Sequence, residues 1–166
     1  QDYYTYYKQN KKNYLYNEKE GQKGLKDAVD FSESINKLKD NKIKTFLFPY
    51  ALENCSDNLL KQTKEIANEY GLTIRMHAAQ YKEDFKRNLN LTNKKPLKRL
   101  NTLGLLDEQL LIIHAIYLSS GKIDARIHKS DVRILKERNV NIGHCPKVYL
   151  RRGYGLNSLQ KLINHN

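Results

Sequence analysis

The stretch Leu72-Thr73-Ile74-Arg75-Met76-His77-Ala78-Ala79-Gln80 decides the fold, because it is an apolar, partly β-branched run that stops at an imidazole. Leu110-Leu111-Ile112-Ile113-His114-Ala115 has the same form, and Val140-Asn141-Ile142-Gly143-His144-Cys145-Pro146 repeats it a third time. The three histidines follow one another at intervals of 37 and 30 residues. One strand-helix-strand unit takes about that many residues. Polar side chains at the ends of successive strands describe one face of a parallel sheet or barrel, where such folds place their active sites.

The segments between these runs read as helices. Leu25, Ala28, Val29, Phe31, Ile35 and Leu38 recur at three- and four-residue steps and predict a helix from Gly24 to Leu38, followed by a buried strand at Thr45-Phe46-Leu47-Phe48 that Pro49 stops. Ser56 is an N-cap, Asp57 suits the first turn, Leu59, Leu60, Thr63, Ile66, Ala67 and Tyr70 share a face, and Gly71 ends that helix. A charged helix from Tyr81 to about Leu89, a shorter one from Pro96 to Leu103 and a turn at Gly104 precede the strand at Leu110. Residues 118–129 predict a long loop above the sheet face. Ser130 then caps a helix closed by Asn139, and Leu156, Leu159, Leu162 and Ile163 give a last amphipathic segment. Residues 1–20 are polar and tyrosine-rich without a period, so they predict an arm, and residues 21–166 form one domain of the α/β class with a parallel sheet.

Length and charge bound the function. At 166 residues the chain can bury a core yet is short for a complete eight-fold barrel of ~250 residues. Thirty Lys and Arg against 18 Asp and Glu give a net charge of +12, but the lysines are scattered instead of forming a stripe, which argues against specific nucleic-acid binding. Cys55 and Cys145 form no metal-knuckle spacing, so reduced thiols are expected. No apolar run approaches the ~18 residues of a membrane span, and a cytoplasmic protein with a small-molecule substrate is the expectation.

Neutral imidazole is a good ligand for zinc and similar ions, and a catalytic centre uses about three protein ligands with one position left open. His77 and His114 are the donors that strand ends place best. His144, before Cys145-Pro146, fits a role in bonding loop carbonyls, while His128 and His165 read as surface residues.

From about Pro49 to Leu162 the chain resembles the amidohydrolase superfamily, in the branch that contains cytosine and guanine deaminases, methylthioadenosine deaminases and triazine hydrolases. Asn54-Cys55-Ser56-Asp57-Asn58-Leu59-Leu60 is similar to the opening of the helix before barrel strand five, and His77-Ala78-Ala79-Gln80 to the metal motif His-x-x-Glu. Pro96-Leu97-Lys98-Arg99-Leu100 with Leu103-Gly104-Leu105-Leu106, then Ile113-His114-Ala115 and Gly143-His144-Cys145-Pro146, follow in the family's order. The resemblance implies part of a TIM-type (β/α)8 barrel, about strands four to seven. It implies a divalent metal, zinc or alternatively iron, with His77 as its ligand and His114 bonding the metal-bound water or substrate. The implied reaction is hydrolysis of a C–N or C–halogen bond in a small, cyclic, nitrogenous compound.

Three departures refine that expectation. The family's His-x-His strand and its strand-eight Asp have no counterpart, which leaves an open part-barrel that would dimerise or await a complementing fragment. Gln80 stands where the motif has Glu, and an amide cannot shuttle a proton as a carboxylate does. Lys147-Val148-Tyr149-Leu150-Arg151-Arg152-Gly153 replaces the usual Ser-Asn and resembles a chlorohydrolase-like branch, in which Arg151 or Arg152 would meet an anionic or carbonyl-bearing substrate. Two rival readings remain open at this point: a catalytically inactive remnant that serves only as a folded or partner-binding piece, and a basic nucleic-acid-binding α/β domain.

Overall fold

The computed structural model describes residues 6–10, 13–38, 42–118, 128–153 and 163. Most of the 118–129 connection and, apart from Ile163, the final amphipathic segment lie outside the described residues, as does His165. Two compact units divide the chain between Met76 and His77.

In the first unit, β1 (Tyr6–Asn10) and β2 (Asn13–Asn17) pair antiparallel, with Tyr7 opposite Tyr16 and Asn10 opposite Asn13. This hairpin replaces the irregular arm expected for the opening residues. Its physical basis is the density of tyrosine, a strand-favouring residue, bracketed by asparagines that suit turns. The helix α1 (Glu18–Lys37) begins well before Gly24, because Asn17 accepts the Glu20 N–H and Glu18 and Glu20 face the positive end of the helix. It packs against β3 (Phe46–Leu47) and against α2 (Asp57–Tyr70), which a single 3₁₀ turn at Leu52–Asn54 precedes.

The boundaries of α2 are those that its sequence predicts. Ser56 Oγ accepts the Leu59 N–H at 3.1 Å, and Gly71 adopts a left-handed φ of 63° while its N–H bonds the Ala67 carbonyl. Leu59, Leu60 and Ala67 are wholly buried, as are Leu47 and Leu52. Ser56→Ala is expected to cost about 1 kcal/mol, and Gly71→Ala a further ~1 kcal/mol, from φ alone because a Cβ there would meet nothing within 4 Å. Urea midpoints of the two variants and of their double check both size and additivity.

The strand β4 (Thr73–Ala78) runs parallel to β3, Phe46 opposite Thr73 and Leu47 opposite Ile74. Its last two residues, His77 and Ala78, begin the second unit. There α3 (Lys82–Thr92) and α4 (Pro96–Thr102) pack together, and β5 (Leu110–His114) pairs parallel with β6 (Asn141–Gly143). Between them lies α5 (Lys129–Glu137). It starts one residue before the expected cap Ser130, because the Asp131 carboxylate accepts the His128 N–H at 3.1 Å and so organises the first turn from His128.

After β6 the chain enters α6 (Pro146–Arg151), a helix that the sequence reading did not include. Pro146 is the signal: at the first position of a helix its fixed φ is already suitable and its missing N–H costs nothing. Among the described residues no helix is long and apolar enough to cross a membrane.

Candidate functional site

Alternation along β4 places His77 on the half-exposed face with Thr73 and Arg75, while Ile74, Met76 and Ala78 are buried. Along β5, His114 has the parity of buried Leu110 and Ile112. Regular strand geometry ends there. His114 has φ 80°, Ala115 52° and Ala79 54°, each a left-handed backbone without glycine that costs about 1 kcal/mol or more. The Ala79 carbonyl over-determines the turn by accepting both the Ile116 N–H at 3.2 Å and the Tyr117 N–H at 2.9 Å. Strain of this kind collects at working sites because packing elsewhere can hold it.

These turns bring the two imidazoles together. The rings of His77 and His114 stack with centroids 5.2 Å apart and planes 23° from parallel. His114 is only 5% exposed, and its Nδ1 is a buried polar atom with no hydrogen-bond partner. Such an atom normally costs ~1–3 kcal/mol, which a ligand or ordered water would relieve. Burial and the neighbouring His77 charge push the His114 imidazole down to about 4, so it is neutral at physiological pH.

Gln80 and the residues around it line the same strand end. Gln80 Nε2 donates to the Tyr81 hydroxyl at 2.9 Å. The Tyr81 N–H donates to Asp84 at 2.8 Å, opening α3. Burial, with Glu83 adding to it, raises the Asp84 carboxyl to about 6 despite Arg87 and His77, which lower it. Of the two arginines named from the sequence, both are exposed at the end of α6, and the Arg152 guanidinium lies 5.6 Å from the Tyr81 ring centroid, which ties it to the rim beside Gln80. Arg151 is the last residue of α6 and has no described contact with Gln80, His77 or His114. Tyr81, Asp84 and Tyr149 were not singled out by sequence. Tyr149 had one available signal, its place three residues after Pro146 on a helix of which it is the inward position.

The shifted groups make a pH prediction with opposing signs. His114, lowered from its ordinary 6.5, leaves the folded chain short of a proton that the unfolded chain takes, so stability falls as pH drops from 6.5 towards 4. Asp84, raised from 3.8, binds a proton in the folded chain first, so its contribution is present below 3.8 and is lost as pH rises through 6. Between pH 6 and 4 the two slopes oppose each other. Asp84→Asn is therefore expected to lose stability more steeply than the wild type on acidification, and His114→Phe less steeply, by urea midpoints at pH 7, 5 and 4. Equal slopes in all three proteins would mean that these groups do not titrate in folding.

Neutral imidazoles suit a borderline ion such as zinc, so the residues present fit part of a ligand set. Among the described residues no group of three His, Cys, Asp or Glu could hold an ion.

Comparison with known proteins gives a consistent picture. The sequence profile of the amidohydrolase family matches residues 8–166. The chain is 30% identical over 152 residues to a 5'-deoxyadenosine deaminase of Methanococcus vannielii, covering 91% of this chain and 34% of that protein. It is 35% identical over 108 residues to a 5-methylthioadenosine/S-adenosylhomocysteine deaminase of Aquifex aeolicus, covering 65% and 23%. Thus it spans about a third or less of the relatives it matches. Among solved structures, it superposes on an adenosine deaminase from Xanthomonas campestris with bound zinc at a TM-score of 0.77 and 16% identity, covering 98% of this chain and 33% of that one. On an atrazine chlorohydrolase from Arthrobacter aurescens complexed with zinc the TM-score is 0.61 at 17% identity, covering 71% and 24%. The four parallel strands β3 to β6 and their helices therefore have the fold of part of such a barrel.

Proposed function

Because this chain belongs to the amidohydrolase family, we propose that it forms part of a hydrolase that cleaves a C–N bond of a small nitrogen heterocycle of the aminopurine kind, with cleavage of a C–halogen bond as the alternative. The observation that carries the proposal is the pair of stacked imidazoles at two parallel strand ends, one of them neutral, buried and holding an unpartnered nitrogen. His77 would hold a divalent ion, zinc before iron, with the remaining ligands supplied from outside the described residues. When bound, that ion supplies a water acidic enough to react near neutral pH and polarises the electrophilic carbon.

This chain's own residues bind and orient. Neutral His114 can donate or accept one hydrogen bond at Nδ1 and hold a substrate or water there. Gln80 offers an amide and no proton-moving group, so it serves binding instead of proton transfer. Arg152 at the rim would meet a carbonyl or anionic part of the substrate, and Arg151 would extend that basic rim. C–N cleavage is preferred because the curated relatives quoted are deaminases, whereas the chlorohydrolase is similar in fold. The protein that carries this chain would be cytoplasmic and would assemble with a second copy or a complementing segment.

The test is a product assay. The natural polypeptide that carries these residues, loaded with zinc, is given 5'-deoxyadenosine and, separately, a chlorinated triazine. Ammonia from the first supports the proposal and chloride from the second supports the alternative. Neither, from a zinc-loaded and monodisperse protein, overturns both in favour of an inactive partner-binding piece. The 166-residue chain alone is expected to keep no stoichiometric zinc through dialysis, since it offers two close imidazoles where about three ligands are needed.

A further inference from the structure

The two strands of the first unit have unlike faces. Leu47 on β3 and Ile74 and Met76 on β4 are buried, whereas Phe46, Thr73 and Arg75, at the alternate positions, are exposed. Phe48 has the same parity as Phe46 and sets its ring edge-on to it, with centroids 6.3 Å apart. Parallel sheets are almost always covered on both faces, one by the crossover helices and the other by further strands or helices. The face of Phe46, Phe48, Thr73 and Arg75 is therefore a surface that a further element covers.

On this face lies a cation. The Arg75 guanidinium carbon is 3.9 Å from the centre of the Phe46 ring, and among the described residues no carboxylate pairs with it. Phe46 is opposite Thr73, two residues before Arg75, so the guanidinium folds back along β4, away from the strand end that carries His77. An aromatic ring is partner enough for a cation that water also solvates. Under a cover the guanidinium cannot shed its proton and its N–H donors lose water, so burial requires an acceptor of opposite charge.

We infer that this face receives the segment that closes the barrel, and that a strand of that segment brings an Asp or Glu carboxylate onto the Arg75 guanidinium. Two observations choose this occupant over a second copy. The chain matches about a third of the length of its relatives, so the other strands of such a barrel come from outside these residues. A second copy would instead lay Arg75 near Arg75 between two chains of net charge +12, which repel each other. With its carbon over the Phe46 ring, the guanidinium keeps its edge of N–H donors for a carboxylate in its plane. This pairing gives the assembly proposed above its partner, and it rests on the part-barrel fold instead of on hydrolysis.

The experiment is thermal unfolding. In the natural polypeptide that carries these residues, Arg75→Met, which keeps the stem and removes the charge, is expected to lower the midpoint by about 5 °C or more. In the 166-residue chain, where Arg75 is exposed, the same change is expected to move it by about 2 °C or less. Arg75→Glu in the natural polypeptide is expected to lower the midpoint further. Changing one Asp or Glu to Arg, at an inward position of a strand outside these 166 residues, is then expected to restore most of the loss.

An Arg75→Met midpoint within about 2 °C of wild type in the natural polypeptide overturns the pairing. So does an Arg75→Glu polypeptide that no inward reversal restores, and this second result decides alone where Arg75→Met does not fold. In sedimentation, a wild-type 166-residue chain that pairs with an Arg75→Glu copy more tightly than with itself assigns the face to a second copy and overturns the closing segment as its occupant. Each measurement reads assembly and none reads product, so failure here is distinct from failure of the hydrolase proposal.

Discussion

Arg99→Ala is expected to destabilise the chain by about 3–5 kcal/mol, from the void left by a large side chain and from the polar atom it orphans. Arg99 is 1% exposed, and its Nη1 donates to Asn88 Oδ1 at 2.9 Å. Asn88, also 1% exposed, passes the connection on by donating from Nδ2 to the Lys94 carbonyl at 2.7 Å, while Thr92 Oγ1 donates to the Asn88 carbonyl at 2.7 Å. Together these bonds pin α3 to α4 across the turn at Asn93, whose φ is 52°. Arg99→Met, which keeps much of the volume and leaves Asn88 Oδ1 without its guanidinium donor, is expected to cost about 1–3 kcal/mol. Pairing it with Asn88→Leu should recover part of that loss. Urea unfolding gives all three, and an Arg99→Ala chain within 1 kcal/mol of wild type would show that the guanidinium contributes no net stability.

The second large effect is catalytic and follows from the proposed function. In the natural polypeptide, His77→Ala is expected to release the metal and lower turnover by about a thousandfold, which is ~4 kcal/mol of barrier. Gln80→Glu should instead keep the metal and lower turnover. The reason is electrostatic: Asp84, four residues on, is a carboxyl that burial has already raised to about 6, and a second anion would enter surroundings that disfavour the first. It would also exchange the amide donor now held by Tyr81 for an acceptor. Metal analysis beside initial rates separates the two variants. A rise of tenfold or more on Gln80→Glu, about 1.4 kcal/mol, would show that Gln80 is a lesion in an ordinary deaminase motif.

Sequence alone determined the parts of this protein whose causes are local. The α2 helix is legible from Ser56 to Gly71 because a cap, an apolar stripe and a left-handed glycine act within a few residues of one another. The strands ending in His77 and His114 are legible because apolar runs of that length form buried strands and their spacing permits little other than parallel crossovers. The opening hairpin was hidden by the even scatter of polar residues around its tyrosines, which masks a period of two. Tertiary structure decided the rest. Only packing could bury Arg99, turn Tyr149 inward from an exposed helix, force φ 80° on His114 and set its ring 5.2 Å from His77, since each depends on contacts between residues far apart in the chain. No single residue's propensity encodes them.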